Sequence, residues 1–190
     1  MKHSIKPGGF TLPEMLITVG IVSIVLSTAI PSISSTIKDN RLATQLNAIV
    51  TDIHFARSEA AKRDTRVILC RSETTQAAVP SCGGDVKAWS SGYLVFADDG
   101  NYINNVYNAG TDTLLRIGRP APEGVRLRTS WSWNNNLEFN PDGSTNEAGA
   151  VAVMSICDDR GKDDGRQIVV APNGIPKMYA TNISTCTPWW

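Results

Sequence analysis

Between Met15 and Ile37 the chain carries no charged residue for 23 positions, and 13 of those positions are hydrophobic. No other stretch of the 190 residues restricts the fold so tightly. About 20 apolar residues in a helix span the hydrocarbon core of a bilayer, so this segment is expected to do so. Lys2, His3 and Lys6 precede it, and positive flanking charge keeps that end cytoplasmic. A secretory signal would place its small-residue cleavage site after the apolar run. Here Gly8-Gly9 comes before the run, and Glu14 sits at its edge, where ordinary signals avoid acid. The totals conceal all of this. With 18 basic residues against 18 acidic and 42% hydrophobic content, they describe a soluble domain and exclude disorder.

The residues at the start of that run form a motif. Gly9-Phe10-Thr11-Leu12-Pro13-Glu14-Met15-Leu16 resembles the prepilin motif of type IV pilins and type II secretion pseudopilins, whose usual form is G-F-T-L-x-E-L or close to it. The resemblance implies that prepilin peptidase cuts between Gly9 and Phe10 and methylates the new amino group of Phe10. Glu14 is then the fifth residue of the mature chain, and is implied to pair with the free amino terminus of a neighbouring subunit, setting the assembly register. A carboxylate in a membrane helix costs about 2.5–3.5 kcal/mol on insertion scales, which marks it as functional. Snorkelling to the headgroups is the alternative. Pro13 departs from the commoner Leu or Ile, but in the first helical turn it removes no intrahelical hydrogen bond.

Pro31 interrupts the apolar segment and is expected to kink the helix, at a depth where pilins often carry a proline. Beyond it the pattern turns amphipathic. Leu42, Leu46, Ile49, Ile53, Ala56 and Ala60 follow steps of three and four, which places them on one helical face. Arg41, Gln45, Asn47, Asp52, Arg57, Glu59 and Lys62 occupy the remaining positions. A helix from about Phe10 to Arg63 is roughly 80 Å long at 1.5 Å per residue.

From Arg66 the texture changes to short β-type runs divided by turn residues. Strands are expected at 66–70, 93–96, 114–117, 125–128, 137–139, 151–157 and 168–170, with a last one near 177–179. Such spacing predicts an antiparallel sandwich or curved sheets against the helix. The order resembles the GspH/FimT/FimU minor pilins, closest to the FimU type. The late run Gly165-Arg166-Gln167-Ile168-Val169-Val170-Ala171-Pro172-Asn173-Gly174 matches the branch's G-R-x-x-V-x-x-P-x-G. The fold class expected is α+β: a long N-terminal pilin helix, half membrane and half amphipathic, packed on an antiparallel β-sandwich-like head. The divisions are a leader peptide at 1–9, a transmembrane and filament-core helix at 10–37, an amphipathic half at 38–65, and a β-rich head at 66–190.

Four cysteines, Cys70, Cys82, Cys157 and Cys186, suit a head delivered to an oxidising periplasm. They allow three connectivities. Cys70–Cys82 with Cys157–Cys186 is favoured, because one bridge pins the loop after the first strand and the other ties the tail to a strand. Zinc is disfavoured by the lack of any Cys-x-x-Cys and by His54 being the one histidine beyond the leader. No metal or cofactor is expected. No nucleophile motif, phosphate loop or catalytic carboxylate pair appears, so no enzyme is expected either. Asp158-Asp159-Arg160-Gly161-Lys162-Asp163-Asp164-Gly165 lacks EF-hand spacing and reads as a solvated turn.

DNA uptake is known among FimT relatives, where it accompanies a basic G-R-x-R after the late turn. Gly174-Ile175-Pro176-Lys177 stands there instead, without either arginine. The candidate DNA contacts are therefore Arg126 and Arg128, near Trp131 and Trp133, together with Lys177. From Lys38 onward 16 basic residues meet 17 acidic ones, so long-range attraction to DNA is weak.

The function expected is a minor pilin in a tip complex that primes type IV pilus assembly, supporting twitching motility and adhesion. Its partners are other minor pilins, the major pilin and prepilin peptidase. Its location is the bacterial inner membrane, single-pass with the head in the periplasm, and then the assembled pilus at its tip. The alternatives are a FimT-like DNA-binding pilin for natural transformation and a GspH-like pseudopilin of type II secretion. Trp189-Trp190 has no assigned role.

Overall fold

A computed structural model describes residues 9–85, 89–100, 106–129, 136–146, 151–161, 163–180 and 186, with the side chains of 28–32 excepted. Helix α1 (Leu12–Arg63) precedes eight strands: β1 (Val67–Arg71), β2 (Tyr93–Ala97), β3 (Thr113–Gly118), β4 (Arg126–Thr129), β5 (Asn136–Phe139), β6 (Ala152–Cys157), β7 (Arg166–Val170) and β8 (Pro176–Ala180). Each expected strand is present, within two residues at either end. The chain divides into two compact units, Met1–Lys38 and Asp39–Trp190.

In the first unit α1 begins at Leu12, two residues later than expected, because Thr11 takes the capping position. The Met15 N–H donates to the Thr11 carbonyl at 3.2 Å, closing the first helical bond. The helix stays helical through Pro31, whose side chain, and with it the expected kink, lies outside the described residues. Among the described residues no helix is long and apolar enough to cross a membrane.

In the second unit the helical face reads as its spacing predicts: Leu42, Leu46, Ile49, Ile53, Ala56 and Ala60 are all buried. Two four-stranded sheets accompany them, ordered β3-β2-β1-β5 and β4-β6-β7-β8, antiparallel throughout. Val67, Leu69, Tyr93 and Val95 of the first sheet join Leu127, Met154, Ile156 and Ile168 of the second and the helical face in one core. Period two sends Ile68, Cys70, Leu94 and Phe96 to the opposite face of the first sheet. There Cys82, Tyr107 and Leu114 cover them, so β1 is buried on both sides.

Gln45 and Glu59, which lie off the apolar stripe, are nevertheless buried. Glu59 satisfies its carboxylate with Lys62 at 3.2 Å and Arg63 at 2.7 Å, one helical turn on. Between β2 and β3 the register shifts at Val95/Phe96: Phe96 faces Leu114 and Val95 faces Arg116, leaving Leu115 as a bulge. Leu115 packs on the main core. Arg116 turns to the helix, where it binds Asp52 at 2.6 Å and lies 3.8 Å above the Phe55 ring.

Candidate assembly site

Helix α1 opens on a capping arrangement. Thr11 precedes the first turn and Glu14 occupies its third position, the T-x-x-E spacing of a capping box. The Thr11 N–H donates to Glu14 Oε2 at 3.5 Å, so the carboxylate is turned back toward the amino end. Pro13 lies inside this turn, where its missing N–H costs nothing. Acid at this end also suits the positive end of the helix dipole. No salt bridge to Glu14 occurs among the described residues. The expected leader residues 1–8 lie outside the described residues; Gly9 and Phe10 lie within them, and Phe10 is 77% exposed.

Around Glu14 the helix is apolar on every side. Leu12, Met15, Leu16, Ile17, Val19, Ile21, Val22, Ile24, Val25 and Leu26 are all exposed. A single chain leaves this surface without cover, and surfaces of that kind mark contact with lipid or other subunits. The hydroxyls within the segment are hidden in its own backbone. Thr18 donates to the Met15 carbonyl at 2.9 Å, Ser23 to Val19 at 2.7 Å and Ser27 to Ile24 at 2.7 Å. The segment therefore presents few unsatisfied donors to an apolar environment.

On the head, two bridges form, Cys70–Cys82 and Cys157–Cys186, with Cα atoms 5.6 and 5.9 Å apart. This is the favoured connectivity. The first closes the segment after β1 over the smaller apolar cluster; the second ties the tail to the end of β6.

The late turn has a packing role. Gly174 has φ +74°, and a Cβ there would lie 2.1 Å from the Gly143 carbonyl oxygen. Thus the turns Pro141-Asp142-Gly143 and Pro172-Asn173-Gly174 are pressed together. Arg57 of α1 donates to the Gly143 carbonyl at 3.0 Å, and the Thr145 N–H donates to Pro172 at 2.8 Å. Only glycine fits this left-handed, crowded position.

The acidic stretch from Asp158 turns as expected, the Gly161 N–H donating to the Asp158 carbonyl at 3.4 Å, but it is only partly solvated, because Asp158 is buried. Arg160 lies in its midst, donating to Asp158 at 2.7 Å, to Asp39 of α1 at 2.9 Å, and approaching Asp164 at 3.6 Å. The Asp158 bond, ahead of the opposing effect of burial, raises the Arg160 pKa. The guanidinium fills the place a cation would take, and no group of three metal-ligating side chains occurs among the described residues. The alternation of acid and base in the sequence was the available signal.

The candidate DNA contacts do not converge. Arg126 and Arg128 lie on β4 and Lys177 on β8, the opposite edges of the second sheet, with β6 and β7 between them. Three strand spacings are about 14 Å. Trp131, Trp133, Trp189 and Trp190 lie outside the described residues. His54 is exposed on α1.

Comparison with known proteins places this geometry. The family model described as type II transport protein GspH matches residues 45–174. A second, the prokaryotic N-terminal methylation motif, matches residues 6–30. No curated protein sequence matches the chain. Two crystal structures of the type IV minor pilin FimU of Pseudomonas aeruginosa strain PAO1 are similar in fold. In space group P21 the match has TM-score 0.56 at 16% identity, covering 79% of this chain and 98% of that one. In space group P65 the values are 0.52, 15%, 73% and 92%.

Proposed function

From the premise that the chain belongs to the GspH family and carries the N-terminal methylation motif, we propose that it is a FimU-type minor pilin. Prepilin peptidase cuts it between Gly9 and Phe10 and methylates the Phe10 amine. The segment 10–37 holds it in the bacterial inner membrane, head in the periplasm, until assembly. It then joins a tip complex of other minor pilins that primes a type IV pilus of major pilin, and so supports twitching motility and adhesion.

One observation carries this role: an apolar helix, exposed on every side, that opens on a single carboxylate aimed at its own amino end. Among the described residues Glu14 binds the Thr11 amide and no cation. A charged amine on a neighbour's Phe10 offers a stronger, charge-assisted partner. In an apolar surround that pairing satisfies two charges at once, which favours one axial register over others. The disulfide-bridged head supplies the surfaces that choose neighbours, and no cofactor or catalytic step is involved.

Deleting the gene tests the role. Surface pili should be lost or sharply reduced, and restored by the intact gene but not by Glu14→Ala; normal piliation in the deletion strain would sink it. A GspH-like pseudopilin of a type II secretion system would use the same chemistry with other partners, and neighbouring genes for secretion would favour it. A FimT-like DNA-uptake role is disfavoured by the separation of Arg126 and Arg128 from Lys177.

A further inference from the structure

The sheets of the head have four edge strands, and three of them are protected. At β5, Thr145 bridges Phe139 and the Asn146 N–H donates to the Glu138 carbonyl. At β4 the Leu127 N–H is taken by Ser90 Oγ at 2.9 Å. At β8 the strand opens with Pro176-Lys177, a proline and a lysine that both discourage pairing. The fourth edge is β3, six residues long; its Leu115 bulge lies in the ladder to β2, its Arg116 is held against the helix by Asp52, and the described residues place no strand on its outer side.

Beside that open edge lies a recess of about 390 Å³ between β3 and α1. Asn47 and Thr51 line its helical wall, and Arg116, Ile117 and Arg119 its strand wall. Its charge is unbalanced. Asp52 is already engaged by Arg116 and by the Tyr93 hydroxyl at 2.7 Å. Burial, and then the bond to Asp52, raises the Tyr93 pKa and keeps the hydroxyl a donor. Arg119 is exposed and no acidic partner for it occurs among the described residues. Ile117, 47% exposed, gives the edge an apolar contact.

We propose that β3 is a strand-addition site, occupied by an extended, acid-bearing segment of another subunit that carries the same N-terminal methylation motif. The segment's backbone pairs with the outer edge of β3, and its acidic side chain enters the recess to meet Arg119. Main-chain bonds supply affinity in such additions and the side-chain recess supplies selectivity. The proposal rests on the pilin role above, since it takes the neighbour to be a co-assembled pilin.

The test uses the full chain in pilus-producing cells, with a photo-crosslinking amino acid placed at Ile117, or at Met178 on β8 as the comparison site. Ile117 should yield an adduct whose partner, identified by mass spectrometry, is a different protein with a prepilin motif. Arg119→Glu in the same chain should lower that yield by about tenfold or more, the effect of placing like charges together. Arg119→Lys should retain most of it. An absent Ile117 adduct, or one unaffected by Arg119→Glu, overturns the proposal, as does an adduct only between copies of this chain. If Met178 still captures a pilin in that case, the pilin role stands and the β3 site alone is refuted.

Discussion

Removing the Arg66 side chain should destabilise the head more than any exposed change on the same sheet. Arg66 stands just before β1 and bridges the two strands that flank it, donating to Asp98 at the end of β2 and to Glu138 in β5. Its own side chain is 19% exposed, while Asp98 and Glu138 retain 1% and 6%. Arg66→Met keeps the aliphatic volume and deletes the charge. Two carboxylates are then buried side by side with no counterion, a change that costs about 3–5 kcal/mol. Against a total stability of about 5–15 kcal/mol that is a large fraction. For a chain of this size it lowers Tm by about 10 °C.

Acidity supplies the sign. Burial raises the Asp98 pKa above its ordinary value, with Arg66 opposing and Asp112 and Glu138 adding to the rise. The folded state therefore holds a proton that the unfolded state has released between the ordinary carboxylate pKa and the raised one. Stability from this group is greatest below that window and falls as pH rises through it. Without Arg66 the rise is larger, so the deficit of Arg66→Met should shrink as pH is lowered from 7 toward 5. Asp98→Asn, by contrast, should be near neutral at pH 7, because Glu138 still pairs with Arg66. Thermal unfolding of the full chain in detergent, followed by near-UV circular dichroism across pH, measures both effects. A loss below about 1 kcal/mol that is flat with pH would refute the buried-triad reasoning.

Gly174→Ala should cost about 2–3 kcal/mol, combining left-handed strain with loss of the Arg57–Gly143 bond, and its unfolding midpoint in urea should fall accordingly. A midpoint within error of the parent would mean the two turns are not pressed together. Replacing both Cys157 and Cys186 by alanine should lower stability by about 3–4 kcal/mol, and free the tail to limited proteolysis after Ala180. An unchanged cleavage pattern would contradict the tether. Full-chain titration with double-stranded DNA should give no salt-dependent shift, and a shift removed by Arg126→Glu with Arg128→Glu would revive DNA uptake as a role.

Much of this fold is written locally. The eight strands stand out because each apolar run is bounded by turn residues, as Tyr93–Ala97 is by Asp98-Asp99-Gly100. The six-residue helical face needed only the three-and-four step. What spacing does not carry is which strands become neighbours: β1 pairs with β5 although three strands separate them in the chain, a choice made by packing. The Leu115 bulge was hidden for the same reason, since it exists only relative to the register of β2. Glu59 and Arg160 look like surface charges until their partners are known. The T-x-x-E spacing at Thr11 and Glu14 belongs to a helix cap as well as to the motif, and the cap appears in the structure as the Thr11 N–H bond to Glu14.

The central claim concerns the amino end, and mass spectrometry of the N-terminal peptide from chain recovered in sheared pili tests it most directly. The account predicts a peptide that begins at Phe10 and carries one added methyl group on its amine. A chain that still begins at Met1, or one absent from the pili of a strain that expresses it, would contradict the account.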